Sequence, residues 1–183
     1  MALPAPAAAD VLSGLDPALS GPLRDVPMGS ATAAVVGLRS GGLEVPKASG
    51  WLVPRQEGGP VQAVTILSKK HPGTAPAGHD LFRVFLRSAF ATGADDAAVL
   101  RATLDHLRQR LGDAPAPAFS AVQRWRRVQP RYTLGHLDRV AALDAALARH
   151  DGLALAGASL RGVGLPDVIV NAEGAADSLL SSS

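Results

Sequence analysis

The sequence contains no cysteine, which removes disulfides, thiolate metal sites and cysteine nucleophiles from consideration. Aromatics are scarce at 4% of the chain, with a single tyrosine, so alanine, leucine and valine must supply most of the packing. Excess charge is missing too: the formal net charge is +2, and nothing at this level calls for a nucleic-acid partner. The opening MALPAPAAADVLSG lacks the basic segment and long apolar run of a secretory signal. No uninterrupted apolar run approaches the roughly 20 residues that span a bilayer, and no long lysine- and leucine-rich helix advertises surface attachment. A cytoplasmic location is the default expectation, with peripheral membrane contact left open.

Several chemical signatures are absent as well. There is no HExxH, and His71, His79, His106 and His150 show no close metal-ligand spacing, so no metal site is expected. The GLRSGG turn at 37–42 lacks the Lys-Ser/Thr end of a phosphate loop. Asp95, Asp96 and Asp105 suit helix solvation better than a catalytic carboxylate pair. What remains is a chain of 183 residues with 47% hydrophobic and 19% charged residues, long enough for one sizeable core.

Residues 3–27 start as an alanine-rich helix that Pro17, Pro22 and Pro27 break into pieces. SATAAVVGLR, 30–39, reads as a strand apolar on both faces, and Trp51–Val53 as a short apolar run stopped by Pro54. In VQAVTILSK, 61–69, alternation places Val61, Ala63, Thr65 and Leu67 on one face and Val64 and Ile66 on the other. A proline- and glycine-rich loop follows. Leu81, Arg83, Phe85 and Arg87 then oppose Phe82, Val84 and Leu86, a strand with a basic stripe.

The period changes over Ala94–Leu111, where Leu100, Leu104, Leu107 and Leu111 form a helical stripe, Thr92 and Asp95 a capping box, and Gly112 a stop. AFSAVQRWRRVQP, 118–130, returns to extended structure, and a helix is expected over roughly 137–149 with Val140, Leu143 and Leu147 on one face. The last unit is a strand at 153–156, a turn at 157–165 and a helix at 166–180, with Pro166 in its first turn and Ile169, Ala172, Ala176 and Leu179 as its buried face. Strands followed by helices point to an α+β fold with a mixed or antiparallel sheet and packed helices.

Gly157, Gly162 and Gly164 free the backbone of the final turn for conformations that side chains obstruct. Amides opening the following helix can meet a phosphate or the electron-rich edge of a flavin; the alternative is a tight connection with no ligand. Asp167 could serve that site or simply cap the helix, and Asn171 reads as a helix-surface polar group. Tyr132 could orient a ligand or pack with a hydrogen bond. His136 fits a cap, a proton path or a surface hydrogen bond. Arg124, Arg126, Arg127 and Arg131 could pair with carboxylates or phosphates or be solvated, and Arg83 and Arg87 share that ambiguity.

The blocks GWLVP, TILSKKHPGTAP, LFRVFL, WRRVQPRYTLGH, LAGASLRGVGLPD and AEGAA, in that order along nearly the whole chain, resemble the C-terminal part of the FAD-dependent protoporphyrinogen/coproporphyrinogen oxidases, the HemY-type family within the broader monoamine-oxidase fold. The resemblance implies that Val163, Gly164 and Leu165 contact the flavin, with Ala158 and Pro166 nearby and Trp125 in direct or supporting contact; the other role for Trp125 is core packing. Catalytic and substrate-binding residues stay unassigned. Two departures stand out: members often carry an aromatic residue where this chain has Leu160, and a cysteine where it has Val168.

Members of the family are more than twice this length, and no counterpart of their N-terminal GxGxxG element occurs here. The resemblance therefore implies a substrate-side region at 1–150 and, at 151–183, the closing element of an FAD-binding domain whose first half is missing. Intact relatives oxidise a porphyrinogen to a porphyrin with FAD and oxygen, releasing hydrogen peroxide. This chain is expected to lack oxidase activity alone and not to hold FAD stably, with a complementary chain or a tetrapyrrole as partner. The alternative is a non-enzymatic tetrapyrrole-binding or protein-interaction module.

Overall fold

A computed structural model describes residues 1–181; Ser182 and Ser183, the end of the expected closing element, lie outside the described residues. In chain order the elements are α1 (Ala5–Leu12), α2 (Pro17–Arg24), β1 (Met28–Arg39), β2 (Gly50–Leu52), a 3₁₀ turn (Arg55–Glu57), β3 (Val61–Ile66), α3 (Leu67–Lys70), β4 (His79–Leu86), α4 (Ser88–Ala91), α5 (Asp96–Leu111), β5 (Phe119–Pro130), α6 (His136–Leu147) and α7 (Leu165–Leu180). The fold is α+β. Two compact units divide it: one holds Ser30–Arg126, the other Met1–Gly29 together with the chain from Arg127 onward. Residues 127–150 and 151–181 thus share a unit.

The Ser30–Arg126 unit is built on a sheet with strand order β2-β3-β4-β1-β5. β1 and β3 both pair antiparallel with β4, which sets Val36 and Ile66 beside Phe82, and Ala34 and Val64 beside Val84. These side chains, all 2% exposed or less, form one face of the core, and Val99, Leu107 and Leu111 of α5 complete it. The β4 alternation is as expected: Phe82, Val84 and Leu86 are buried, while Leu81, Arg83, Phe85 and Arg87 are half-buried.

Three expectations in this unit need correction. Val61 lies on the core side with Val64 and Ile66, because a bulge between Val61 and Ala63 shifts the register. Leu67 has left the sheet and opens α3. The Thr92–Asp95 capping box does not form: Asp95 is itself the N-cap, accepting from the Ala98 amide at 2.7 Å, while the Thr92 hydroxyl donates to Ser88 O. The buried stripe of α5 is Val99, Thr103, Leu107 and Leu111, with Leu100 and Leu104 at its half-buried shoulder. Gly112 stops the helix as expected, at φ 86°.

Trp51 Nε1 donates to His106 Nε2 at 3.1 Å, which requires the neutral imidazole with its proton on Nδ1. Burial first, and then the Arg110 charge, depress the His106 pKa below its ordinary 6.5, against the opposing pull of Glu57. The unfolded chain takes up this proton at a higher pH than the folded one, so stability rises with pH across that interval. The stabilisation is fully present above 6.5 and is lost as pH falls through the depressed folded value. Urea unfolding as a function of pH should show this loss, about 1 kcal/mol if it is set by the one hydrogen bond, and His106→Gln should flatten the slope.

In the other unit α1, α2 and α6 pack through Ala5, Ala9, Leu12, Leu19, Leu23, Leu143 and Ala146, with Leu155 and Leu160 closing the cluster. Pro22 lies within α2 and does not break it. Asp16 caps α2 through the Ala18 amide and accepts from His150 and Arg149, so its carboxyl is held well below the ordinary range, the His150 bond first, then the Ala18 amide, then Arg149. The expected strand at 153–156 is absent. Besides the turn bond from the Leu153 amide to His150 O, that segment bonds Met1: the terminal ammonium donates to Ala154 O and the Ala156 amide donates to Met1 O. No neighbouring strand extends them into a ladder. Among the described residues no helix is long and apolar enough to cross a membrane.

Candidate functional site

The turn from Gly157 to Gly164 carries five of the six residues expected at a cofactor: Ala158, Val163, Gly164, Leu165 and Pro166 lie together on it or in the first turn of α7. Trp125 lies on β5 in the other unit, 39% exposed. Gly164 is the N-cap of α7 and provides no side-chain cap, so the helix opens with amides that its own sequence does not cover. Val163 and Leu165 are 61% and 79% exposed and flank those amides with apolar surface. Asp167 in the first turn favours the positive end of the helix.

Gly162 is required by its surroundings. Its φ is 138°, and a Cβ there would stand 2.4 Å from Asp167 Cβ. The turn is fixed at several points. The Gly157 amide donates to Asn171 Oδ1 at 3.1 Å, tying the start of the turn to α7. The Tyr132 hydroxyl donates to Ala158 O at 2.7 Å and accepts from the Gly162 amide at 2.8 Å. His136 Nε2 is 2.8 Å from Leu160 O, and the two rings stack with centroids 3.8 Å apart. Asn171, expected as a helix-surface polar group, is half-buried against the turn, and Tyr132 and His136, with several roles open to them, both hydrogen-bond it.

α7 corrects the expectation of a buried face. None of its residues is buried. It rests on a half-buried stripe of Val168, Asn171, Ala175 and Leu179 and turns outward a second stripe of Leu165, Ile169, Ala172, Ala176 and Leu180. That outward stripe contains no polar residue, and Ile169 and Leu180 are 56% and 76% exposed. A groove of about 770 Å³ lies between α7 and the chain near 150–155. The buried side-chain polar atoms without a partner, among the described residues, are Arg83 Nε, Thr103 Oγ1, His136 Nδ1 and Arg139 Nε, and none of these residues lines the groove.

In the Ser30–Arg126 unit the sheet face opposite the core is less covered. Its large side chains Val35, Leu81, Arg83 and Phe85 are all half-buried, and Phe119, beside Gly37 and Leu81, is 54% exposed. Strand alternation puts Trp125 on the same face as Phe119. Arg83 lies 5.2 Å over the Phe85 ring with its Nε buried and unpartnered. Arg87 and Arg124 are committed to structure: Arg87 donates to Val53, Pro54 and Gly59 carbonyls, and Arg124 to Asp96 and Ala94 O. Among the described residues no cluster of metal-ligating side chains occurs.

No protein-family model matches the chain. Individual proteins do. It is 37% identical over 171 residues to a coproporphyrinogen III oxidase of Propionibacterium freudenreichii subsp. freudenreichii, covering 91% of this chain and 32% of the relative. It is 34% identical over 185 residues to a coproporphyrinogen III oxidase of Mycobacterium bovis, covering 100% of this chain and 40% of that one. A crystal structure from Exiguobacterium sp. 255-15, of a protein assigned as a protoporphyrinogen oxidase, superposes with a TM-score of 0.82 at 25% identity, over 100% of this chain and 40% of that chain. The chain thus spans about a third to two-fifths of the length of the proteins it matches.

Proposed function

Because the chain belongs to the FAD-dependent protoporphyrinogen/coproporphyrinogen oxidase family, we propose that it supplies two surfaces to a porphyrinogen-oxidising flavoenzyme: a flavin-facing turn at 158–166 and a tetrapyrrole-facing sheet surface around Arg83 and Phe85. The observation that carries this reading is the open α7, whose apolar stripe continues from the turn and is exposed among the described residues.

The turn fits one edge of a flavin and no more. Uncapped amides at the start of α7 can donate to its electron-rich edge, and the exposed Val163 and Leu165 can exclude water beside it. The absence of a Cβ at Gly162 leaves room for the Asp167 side chain against the turn. The sequence carries no GxGxxG element for the adenosine end. A bound flavin would supply the redox chemistry between porphyrinogen and oxygen, held at the turn by residues 158–166. The residues of this chain hold and orient, and none is needed as nucleophile or metal ligand. On the sheet face the half-buried Arg83 offers a guanidinium that can pair with a propionate carboxylate, with Phe85 as a flat apolar neighbour for the macrocycle.

The proposed arrangement requires a flavin-binding partner segment corresponding to the part of the relatives outside the match. Co-expressing the chain with such a segment should give oxygen-dependent porphyrin formation that neither piece shows alone. A mixture that assembles, retains FAD and still does not turn over coproporphyrinogen or protoporphyrinogen would defeat the proposal. The uncovered sheet face also supports a second reading, a non-enzymatic tetrapyrrole module. That reading gains if coproporphyrin binds the chain alone and Arg83→Ala weakens the binding, with no turnover in any mixture.

A further inference from the structure

Two side chains four residues apart, Tyr132 just before α6 and His136 at its first position, hold three backbone groups of the turn. The Tyr132 oxygen is used in both senses, as donor to Ala158 O and as acceptor from the Gly162 amide, so one atom closes the loop across residues 158–162. His136 is 5% exposed and reaches the apex of the same loop at Leu160 O. A carbonyl can only accept, so the proton sits on Nε2. The other ring nitrogen is buried without a partner. The rings lie nearly parallel, 13° apart, so each fixes the plane of the other.

This is more restraint than a surface connection needs. Residues 157–164 contain glycines at φ 133° and 138°, and such a segment left free would sample many conformations, at about 1–2 kcal/mol of backbone entropy per ordered residue. The clasp ends at Gly162, and the next residues are Val163, Gly164 and Leu165, where the uncapped amides begin. Whatever aligns the Gly162 amide therefore sets the direction in which those amides point.

We infer that Tyr132 and His136 are positioning residues for the flavin-facing amides: through Ala158, Leu160 and Gly162 they hold the turn in its receptive shape before any flavin arrives. The inference rests on the proposed flavin reading and adds to it the device that preorganises the site.

The test uses the chain alone, with Tyr132→Phe as the variant because it keeps the ring and deletes only the oxygen. In amide exchange, Gly162 should exchange roughly tenfold faster in the variant, the size expected for one lost hydrogen bond. α5 and the sheet should be unchanged. Because Tyr132 is the only tyrosine, the near-ultraviolet circular dichroism assigned to it in the wild type should also weaken in His136→Ala, which removes its stacking partner. Flavin mononucleotide at millimolar concentration is then added to labelled protein. In the wild type the amide resonances of Val163, Gly164, Leu165 and Asp167 should shift; in Tyr132→Phe the same shifts should be several-fold smaller. Equal shifts, or an unchanged Gly162 exchange rate, overturn the clasp and leave the flavin reading standing. No shift in the wild type, with faster Gly162 exchange in the variant, removes the flavin reading and with it the role assigned to the clasp.

Discussion

Ile169→Glu is expected to leave the isolated chain folded, within about 0.5 kcal/mol of wild type, and to weaken association with the flavin-binding segment by a factor of roughly one hundred or more. Ile169 is 56% exposed on the outward stripe of α7, so the chain alone loses little packing when it is replaced, and glutamate is a good helix former. In an assembly that buries the stripe, the carboxylate would be stranded without a partner, at a cost of about 3 kcal/mol or more. Ala172 and Ala176 next to it allow a facing helix or strand to approach closely. α7 carries Asp167, Glu173 and Asp177 and no lysine or arginine, which favours a protein partner over an anionic membrane surface. Titration calorimetry against the segment measures the effect, with Glu173→Gln as a neutral control. Unchanged affinity of Ile169→Glu would place the partner elsewhere.

Gly162→Ala carries the other large effect, and its form follows from where strain can escape. The backbone at φ 138° is one that side-chain-bearing residues rarely adopt, and the new methyl would meet Asp167 Cβ at 2.4 Å. Asp167 Cβ is fixed to the helix backbone and cannot rotate away. The combined penalty is about 3 kcal/mol from backbone strain alone at its upper end, with the clash added. α7 buries none of its residues, so releasing it relieves the strain at less cost than unfolding the unit. The expected outcome is faster exchange throughout 165–180 with the Leu19, Leu143 and Ala146 cluster intact. Cooperative loss of that cluster along with α7 would show that the helix is bound more firmly than its exposure implies.

The elements with long-range partners in plain register were the legible ones. β4 alternates cleanly because it lies between β1 and β3, and α5 announces itself by periodicity and by a glycine at its end. What failed depended on geometry that residue types do not encode. The bulge at Val61 reverses a face without altering the pattern of apolar residues. Thr92 and Asp95 are both good caps, and only the entry angle of the chain decides between them. The segment 153–156 has strand composition, but its bonds to a distant residue go to Met1 and no ladder forms among the described residues. The stripe of α7 is apolar as read and exposed as folded: periodicity shows that a face is apolar, and not whether the fold buries it. At the site, the glycines and the opening of α7 were readable. The clasp of Tyr132 and His136 was not, because its partners are carbonyls and an amide, which every residue possesses.

The flavin content of gently purified protein decides whether this chain carries one wall of a cofactor site and not the whole. The absorbance spectrum of the chain alone should lack a flavin band, and the band should appear at one flavin per complex when the flavin-binding segment is co-purified with it. Stoichiometric FAD on the chain by itself, or an assembled complex in which FAD retention is indifferent to Gly162→Ala, would mean that the turn at 158–166 is not that wall.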